Sequence, residues 1–206
     1  MRKAVQHLRR ADTVMGTIIE QVGPYRIKYT EPTFHSLAKS IVYQQLSGYA
    51  AATIFGRLVA ATGDPVTPAA VLRLSMPERR AFGLSQQKAS YVADLALKTS
   101  RREIDFAGLS ELADEQVIEQ LTLVKGIGIW TAHMFLIFAL RRPDVLPVSD
   151  LGVRTAIRKA YNLPEPPTTA EILLFGEKWR PYCSVASWYL WRSLELSGRR
   201  VELPAG

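Results

Sequence analysis

The sequence predicts an all-α protein. Apolar residues recur at the three- and four-residue spacing of a buried helix face through almost all of the 206 residues. Residues that cap helix N-termini precede these segments, and glycine or proline follows several of them. No segment alternates apolar and polar residues as a strand does, and no Asn-Gly or Asp-Gly pair marks a β-hairpin.

Six helices are predicted in the first half of the chain. Each has a signal at its start, either a capping residue or a break in the apolar pattern. In chain order, these signals are Asp12 for a helix over about 12–23, Thr33, the Ser47-Gly48 break before 50–61, Thr67-Pro68, the capping box Ser75-x-x-Glu78, and Ser85. Glycines at 23, 63 and 83 mark three of the helix ends.

The second half of the chain continues the pattern. Asp114 begins a helix that ends near Leu123, and a short turn leads into an apolar helix over 129–140. The later start signals are Ser149 or Asp150, the capping box Thr168-x-x-Glu171, and Ser184, with a proline-rich surface loop over 163–167. The apolar run 134–140 is far shorter than the about 20 residues that cross a bilayer, so we expect a buried core helix.

Composition limits the class of protein. A hydrophobic content of 48% supplies a core for one domain, or for two packed lobes that share a cleft. A net charge of +7 favours binding to nucleic acid or to an anionic membrane, although a solvated basic surface is equally compatible. The single cysteine, Cys183, excludes a disulfide framework and a multi-thiolate metal site, and we expect an intracellular protein. His35 and His133 are isolated, and neither is predicted to bind metal.

A turn with two glycines, Val124-Lys125-Gly126-Ile127-Gly128, separates two predicted helices. Glycines permit positive φ and let a ligand approach the backbone closely. The first N–H groups of the following helix, together with its dipole, suit a phosphate. An ordinary helix–helix turn is the alternative, and a bare G-x-G does not decide between them.

The segments on both sides of this turn carry more information about its role. The segments LVKGIGIWTA and DVLPVSDLGVR together resemble the signature of the helix-hairpin-helix DNA glycosylase superfamily, here its 3-methyladenine DNA glycosylase II branch. FHSLAKSIVYQQLSGYAAATIFGRL is similar to the helix and DNA-probing loop of that branch, and GLSQQKASYVADLA to a further helix. The resemblance covers about 34–197 and implies two helical lobes with a hairpin over about 121–140 and a DNA-binding cleft. Helices at about 12–23 would pack onto the core of a single domain over 1–206.

The resemblance also assigns residues. Asp150 falls on the catalytic aspartate, and Trp130 replaces the lysine that forms a Schiff base in bifunctional relatives, which implies a monofunctional enzyme. One cysteine excludes the iron–sulfur branch, so no cofactor is expected. Some members hold a monovalent or divalent cation on hairpin carbonyls, and the matching positions are Thr122, Val124 and Ile127. About thirty residues precede Phe34, which implies the compact form without an N-terminal β domain.

The chemistry explains why such residues would be needed. A base must leave the DNA stack to be excised, and Gln44, Gln45 and Leu46 are placed to fill the gap, with Gln45 or Leu46 as the wedge. A carboxylate stabilises the positive charge that develops on the sugar or activates water. Asp150 would do so while also capping a helix, unless Ser149 takes over the cap.

Aromatic faces can hold a cationic alkylated purine. Trp130 is the first candidate for this base pocket, followed by Phe34, Tyr43, Tyr49 and Trp188, although core packing is the commoner role for these side chains. Phosphate contacts are assigned to the turn and to nearby residues. These are Lys125, Gly126, Ile127, Gly128, Thr131, Lys88 and Arg154, with Arg158 as a further candidate.

The sequence therefore predicts a monofunctional glycosylase that excises 3-methyladenine and 7-methylguanine type bases from double-stranded DNA. It would act as a monomer, without a membrane partner, in the cytoplasm or nucleoid if the host is bacterial. Two alternatives stay open at this point: a non-catalytic binder of damaged DNA, and a glycosylase for other lesions such as 1,N6-ethenoadenine. Trp130 argues against a third, a bifunctional lyase.

Overall fold

The computed structural model describes residues 1–196, and within them it contains twelve α-helices, one short 3-10 helix and no strand. The first six helices are α1 (Arg2–Ala11), α2 (Thr13–Val22), α3 (Phe34–Tyr43), α4 (Gly48–Thr62), α5 (Pro68–Arg73) and α6 (Met76–Ala81). The others are α7 (Gln86–Ser100), α8 (Asp114–Thr122), α9 (Ile129–Phe138), α10 (Leu151–Ala160), α11 (Thr169–Trp179) and α12 (Cys183–Leu196), with the 3-10 turn at Leu109–Glu111. The all-α prediction is confirmed.

Capping residues set most helix starts, as their chemistry predicts. The side chain of each N-cap accepts a hydrogen bond from a backbone N–H group two or three residues later, and such a cap contributes about 1 kcal/mol. The predicted residues that do so are Asp12, Thr33, Thr67, Ser75, Ser85, Asp150 and Thr168. Ser47, which was predicted only as a break in the apolar pattern, caps α4 in the same way. Glu78 and Glu171 complete the two predicted capping boxes.

The sequence missed α1 because that helix buries little. Only Ala4 and Leu8 of α1 are buried, which is too short an apolar pattern to be recognised in a basic segment. The last helix begins at Cys183 instead of Ser184, and α9 ends at Phe138 instead of residue 140. The resemblance reached Ser197, which lies outside the described residues.

The described residues form two compact units. The central unit spans Tyr29–Leu140, and the terminal unit joins Met1–Lys28 to the described residues from Arg141 onward. In the central unit, α3 and α5 pack on α7, α3 also packs on α4, and α8 packs on α9. In the terminal unit, α2 and α10 pack on α12, and α1 packs on α2 and α11. The single domain over 1–206 stays a prediction.

A buried carboxylate connects the corner between α1 and α2 to two other helices of the terminal unit. Asp12 Oδ1 accepts the hydrogen bond that caps α2, from Met15 N. Its Oδ2 accepts from the Trp179 indole at 3.0 Å and from the Tyr161 hydroxyl. One side chain thus ties the α1–α2 corner to α10 and α11.

None of the helices in residues 1–196 has both the length and the apolar character needed to cross a membrane.

Candidate active site

The hairpin turn between α8 and α9 depends on a glycine at position 126. Gly126 has a φ of 81°, in the region that favours glycine. A Cβ added there would lie only 2.1 Å from Cδ2 of Tyr91, on α7. The ring of Tyr91 therefore packs directly on the turn, and no larger residue fits at position 126.

Gly128 differs from the expectation for this turn. Its φ is −100°, which any residue adopts, so positive φ is not the reason for this glycine. An added Cβ would meet nothing within 4 Å, and Gly128 is the N-cap of α9 without a side-chain cap. Within residues 1–196, the backbone N–H groups of Gly128 and Ile129 donate to no acceptor. This end of α9 is therefore open and electropositive, as an anion site requires.

The side chain of Asp94 on α7 holds the start of the turn. Its Oδ2 accepts from Lys125 N at 2.8 Å, and its Oδ1 pairs with Lys98 at 3.1 Å. Burial by itself would raise the Asp94 pKa, but the hydrogen bond from Lys125 and the pairing with Lys98 lower it below the ordinary value. The Lys125 side chain is exposed beside this contact.

The loop after α3 contains the three predicted probing residues. Gln45 is exposed, with a φ of 56°, a strained conformation for a residue with a side chain. Leu46 is half-buried, and its N–H donates to Tyr43 O at 3.3 Å. Gln44 is half-buried as well, and its Nε2 donates to the Gly126 carbonyl at 3.0 Å. Of the three, Gln45 is thus the most exposed.

Lys88 was predicted to contact a phosphate, but its side chain contacts two backbone carbonyls of the protein. Its ammonium donates to Val42 O at 2.8 Å and to Gln44 O, at the C-terminal end of α3. Burial lowers the pKa of this lysine. Carbonyls at a helix C-terminus attract a cation, so Lys88 closes α3 and holds the loop that follows.

Asp150 lies at the start of α10 in the terminal unit, and only 7% of its surface is exposed. Its Oδ1 accepts from Val153 N at 2.7 Å, so Asp150 itself caps the helix. The idea that Ser149 takes over the cap is therefore wrong. The N-terminus of α10 stabilises the negative charge of this carboxylate.

Trp191 on α12 holds the same carboxylate, and the sequence analysis did not single it out. Its Nε1 donates to Asp150 Oδ1 at 2.8 Å, and the indole is 1% exposed. Gly152 makes room for this contact, because an added Cβ would lie 2.9 Å from Trp191 Cδ1. A buried indole N–H needs an acceptor, which was the one available signal, but only the fold shows that the acceptor is Asp150.

The other aromatic candidates differ widely in exposure. Trp130 is 37% exposed near the start of α9, and Tyr49 is 87% exposed on α4. Phe34 is buried in the core of the central unit. Tyr43 is half-buried under the Lys39 ammonium, which lies 5.5 Å from its ring centroid. Within the central unit, Trp130 and Tyr49 are thus the two candidates with enough exposed surface for a base to stack on.

Trp188, the remaining pocket candidate, is packed instead into the terminal unit. Its ring lies 4.6 Å from the Tyr25 ring and 4.9 Å from the Tyr189 ring, centroid to centroid, and 3% of its surface is exposed. Burial in this aromatic cluster makes it a core residue, as the commoner role predicts. Trp191, three residues later, makes the contact to the carboxylate.

The remaining residues predicted to contact phosphate differ in their burial and in their hydrogen bonds. Ile127 is buried under the turn, and its N–H donates to Val124 O at 3.1 Å. Thr131 is buried in the first turn of α9. Arg154 is half-buried on α10, and Arg158 donates to Pro164 O at 2.9 Å.

The hairpin carbonyls predicted to hold a cation are hard oxygen donors, which suit such an ion chemically. The Val124 carbonyl already accepts the Ile127 N–H, which leaves it one lone pair for an ion. Elsewhere in residues 1–196, no group of three or more His, Cys, Asp or Glu side chains is placed to hold a metal ion.

The chain resembles known proteins in both sequence and fold. A family model described as the HhH-GPD superfamily base excision DNA repair protein matches residues 38–181. The chain belongs to the HhH-GPD superfamily. The match contains α4 to α11, and so both the hairpin and Asp150 lie within the HhH-GPD region.

Individual HhH-GPD proteins resemble the chain along nearly its whole length. DNA-3-methyladenine glycosylase 1 of Schizosaccharomyces pombe is 34% identical over 96% of this chain and 89% of its own. A structure of the S. pombe 3-methyladenine DNA glycosylase in complex with abasic DNA superimposes with a TM-score of 0.83 at 33% identity, covering 96% of this chain and 98% of that one. DNA-3-methyladenine glycosidase from Bacillus halodurans gives a TM-score of 0.85 at 34% identity, covering 95% and 91%.

Proposed function

We propose that this protein is a monofunctional DNA glycosylase that hydrolyses the N-glycosidic bond of alkylated purines, the first step of base excision repair. The observation that carries the proposal is the Asp150 carboxylate, buried at the start of α10 and oriented by Val153 N and Trp191 Nε1. The names of the relatives agree, since the S. pombe and Bacillus halodurans proteins, each 34% identical to this chain, are a DNA-3-methyladenine glycosylase and a DNA-3-methyladenine glycosidase.

The chemistry follows from the charge of the substrate. A purine alkylated on a ring nitrogen is cationic, so it leaves with the electron pair of the glycosidic bond as a neutral base. Positive charge develops on the sugar, and a carboxylate held close to it stabilises this transition state. Water then adds to the anomeric carbon, and its proton passes to Asp150 or to solvent. The products are a free base and an abasic site.

The hairpin would bind the DNA backbone. The open N–H groups of Gly128 and Ile129 can bind one phosphate of the backbone, and the exposed ammonium of Lys125 adds a charge beside them. Arg154 and a +7 net charge would add attraction to DNA without reading its sequence. Trp130 would stack on the extruded base.

The proposed substrate also implies a partner, a cell compartment and a cofactor requirement. The protein would bind double-stranded DNA as a monomer, within the cell compartment that holds DNA. The chemistry needs no cofactor, and a cation on the carbonyls of Thr122, Val124 and Ile127 would serve only to hold the turn. Trp130 lacks an amine, so borohydride is expected to trap no covalent complex with DNA.

The deciding test is excision by Asp150→Asn. Asparagine keeps an oxygen that can accept from Val153 N and Trp191 Nε1, so the fold and the cap should persist while the charge is lost. Incubation with methylated duplex DNA and chromatography of the released bases should show a loss of about 10²–10³-fold in the single-turnover rate.

The matched control is Asp64→Asn, the same change on a side chain that is 77% exposed. It should excise like the wild type. Wild-type excision by Asp150→Asn would overturn the proposal. Binding to methylated DNA without release of any base by the wild type would favour a non-catalytic damage binder, and release of ethenoadenine alone would favour a different lesion class.

A further inference from the structure

The Gln44 side chain connects the loop after α3 to the hairpin turn. Its Nε2 donates to the Gly126 carbonyl at 3.0 Å, across 82 residues of sequence. Its own backbone carbonyl accepts from the Lys88 ammonium, which also donates to Val42 O at 2.8 Å. Gln44 is therefore held at its backbone by α7 and at its side chain by the turn.

The turn is immobilised at the same point. The carbonyl of Gly126 and the N–H of Ile127 belong to one peptide plane. Gln44 donates to the first, and the second donates to Val124 O at 3.1 Å. This peptide immediately precedes the Gly128 N–H at the open end of α9. Gln44 therefore connects the loop to the segment of the turn that directly precedes the N–H groups proposed to bind phosphate.

Gln45 is the next residue of the loop, and it is more exposed than Gln44. Its side chain is exposed at a φ of 56°, a conformation that persists only when the flanking residues are held. Gln44 is held on one side, and on the other Leu46 N donates to Tyr43 O at 3.3 Å. The loop thus presents one residue outward from two held neighbours.

We propose that Gln44 is a positioning residue that sets the Gln45 side chain in register with the phosphate bound at the turn. Gln45 is then the residue inserted into the base stack, and Gln44 acts through it. The inference rests on the proposed function only in requiring a lesion-bearing duplex as the ligand.

The test variant is Gln44→Glu, which keeps the length of the side chain but places a carboxylate without an N–H group against the Gly126 carbonyl. Gln44→Met removes the donor without adding charge. Gln116→Glu is the matched control, because it adds the same charge in the same unit at an exposed residue. Its carboxylate can still accept from Ala113 N, as the glutamine does at 3.0 Å.

The readout is the fluorescence of 2-aminopurine beside a stable tetrahydrofuran abasic analogue in duplex DNA, measured at saturating protein. Insertion of a side chain unstacks the probe and raises its fluorescence. We expect Gln44→Glu, Gln44→Met and Gln45→Ala each to reduce this rise about fivefold. The double variant Gln44→Met/Gln45→Ala should fall no lower than Gln45→Ala, since residues that act as a unit are not additive. Binding to undamaged duplex should stay within about twofold of Gln116→Glu.

Additive losses in the double variant would overturn the proposal. So would a fluorescence rise in both Gln44 variants equal to that of Gln116→Glu, or the lack of any rise with the wild type. This measurement needs no bond cleavage, so it separates the two proposals. A wild type that releases no base but follows the expected fluorescence pattern would remove the glycosylase assignment and leave the positioning role intact.

Discussion

At the scale of single residues, the indole of Trp191 is one of two groups that hold the Asp150 carboxylate. Its N–H donates to the same Oδ1 that caps α10, so one oxygen is held from two directions. Gly152 leaves room for the indole, because a Cβ at position 152 would lie only 2.9 Å from Trp191 Cδ1. Position 152 is thus required for the site although it supplies no chemical group to it.

The change Trp191→Phe tests this arrangement. Phenylalanine fills most of the buried volume but donates no hydrogen bond to Asp150, so excision should fall about tenfold, the value of one lost hydrogen bond to a charged group. Single-turnover kinetics on methylated DNA measure the loss. Trp188→Phe, in the neighbouring aromatic cluster, is the control and should keep nearly full excision despite a comparable loss of volume. Equal losses in the two variants would contradict the positioning role of Trp191.

At the scale of secondary-structure elements, glycine is needed for different reasons at the two glycine positions of the hairpin turn. Gly126 combines a φ of 81° with the Tyr91 ring against its Cα, so it is required by the fold. Gly128 has an ordinary φ and open space where a side chain would be, so the fold does not require it. A ligand that approaches the start of α9 closely would require it.

The pair Gly126→Ala and Gly128→Ala separates these reasons. Gly126→Ala should lower the free energy of unfolding by about 1–3 kcal/mol, because the turn and Tyr91 must both move. Gly128→Ala should change it by less than about 0.5 kcal/mol but weaken duplex binding, because the new methyl group lies beside the open N–H groups. Urea unfolding and DNA titration measure the two effects. Equal destabilisation by both changes would contradict this distinction.

At the scale of the whole molecule, the buried contacts of Asp12 predict how the stability of the protein depends on pH. Burial, followed by the hydrogen bond to Asp12, raises the pKa of Tyr161 far above its ordinary value. The folded state therefore keeps this hydroxyl protonated at a pH where the unfolded chain releases the proton. The resulting stability is fully present below the unfolded pKa of about 10 and is lost as the pH rises above it.

The variant Tyr161→Phe should show a shallower loss of stability above about pH 10 than the wild type. One such group contributes a slope of about 1.4 kcal/mol per pH unit to the free energy of unfolding. Urea unfolding at several alkaline pH values compares the two slopes. Tyr189, whose pKa burial also raises, contributes equally to both proteins and serves as the internal reference. Identical slopes would show that Tyr161 titrates alike in both states.

Local chemistry determined most of the fold in advance. Capping side chains contact backbone groups only two or three residues away, so Thr33, Ser75 and Thr168 could be recognised as helix starts from the sequence alone. The roles of the hairpin and of Asp150 were predicted differently, from the resemblance of LVKGIGIWTA and DVLPVSDLGVR to the signature of a known superfamily. The helix α1 escaped because its stability comes from packing of two residues on other helices.

The tertiary structure alone decided which side chains meet. Asp150 and Trp191 are 41 residues apart, and Gln44 and Gly126 are 82 apart. No periodicity links such pairs, because contacts between distant segments depend on how the helices pack. The amino-acid sequence was therefore enough to predict every α-helix of the described residues except α1, together with the glycine turn and the candidate carboxylate. The fold decided that Trp191 holds that carboxylate, that Trp188 belongs to the core, and that Lys88 and Gln44 brace the loop.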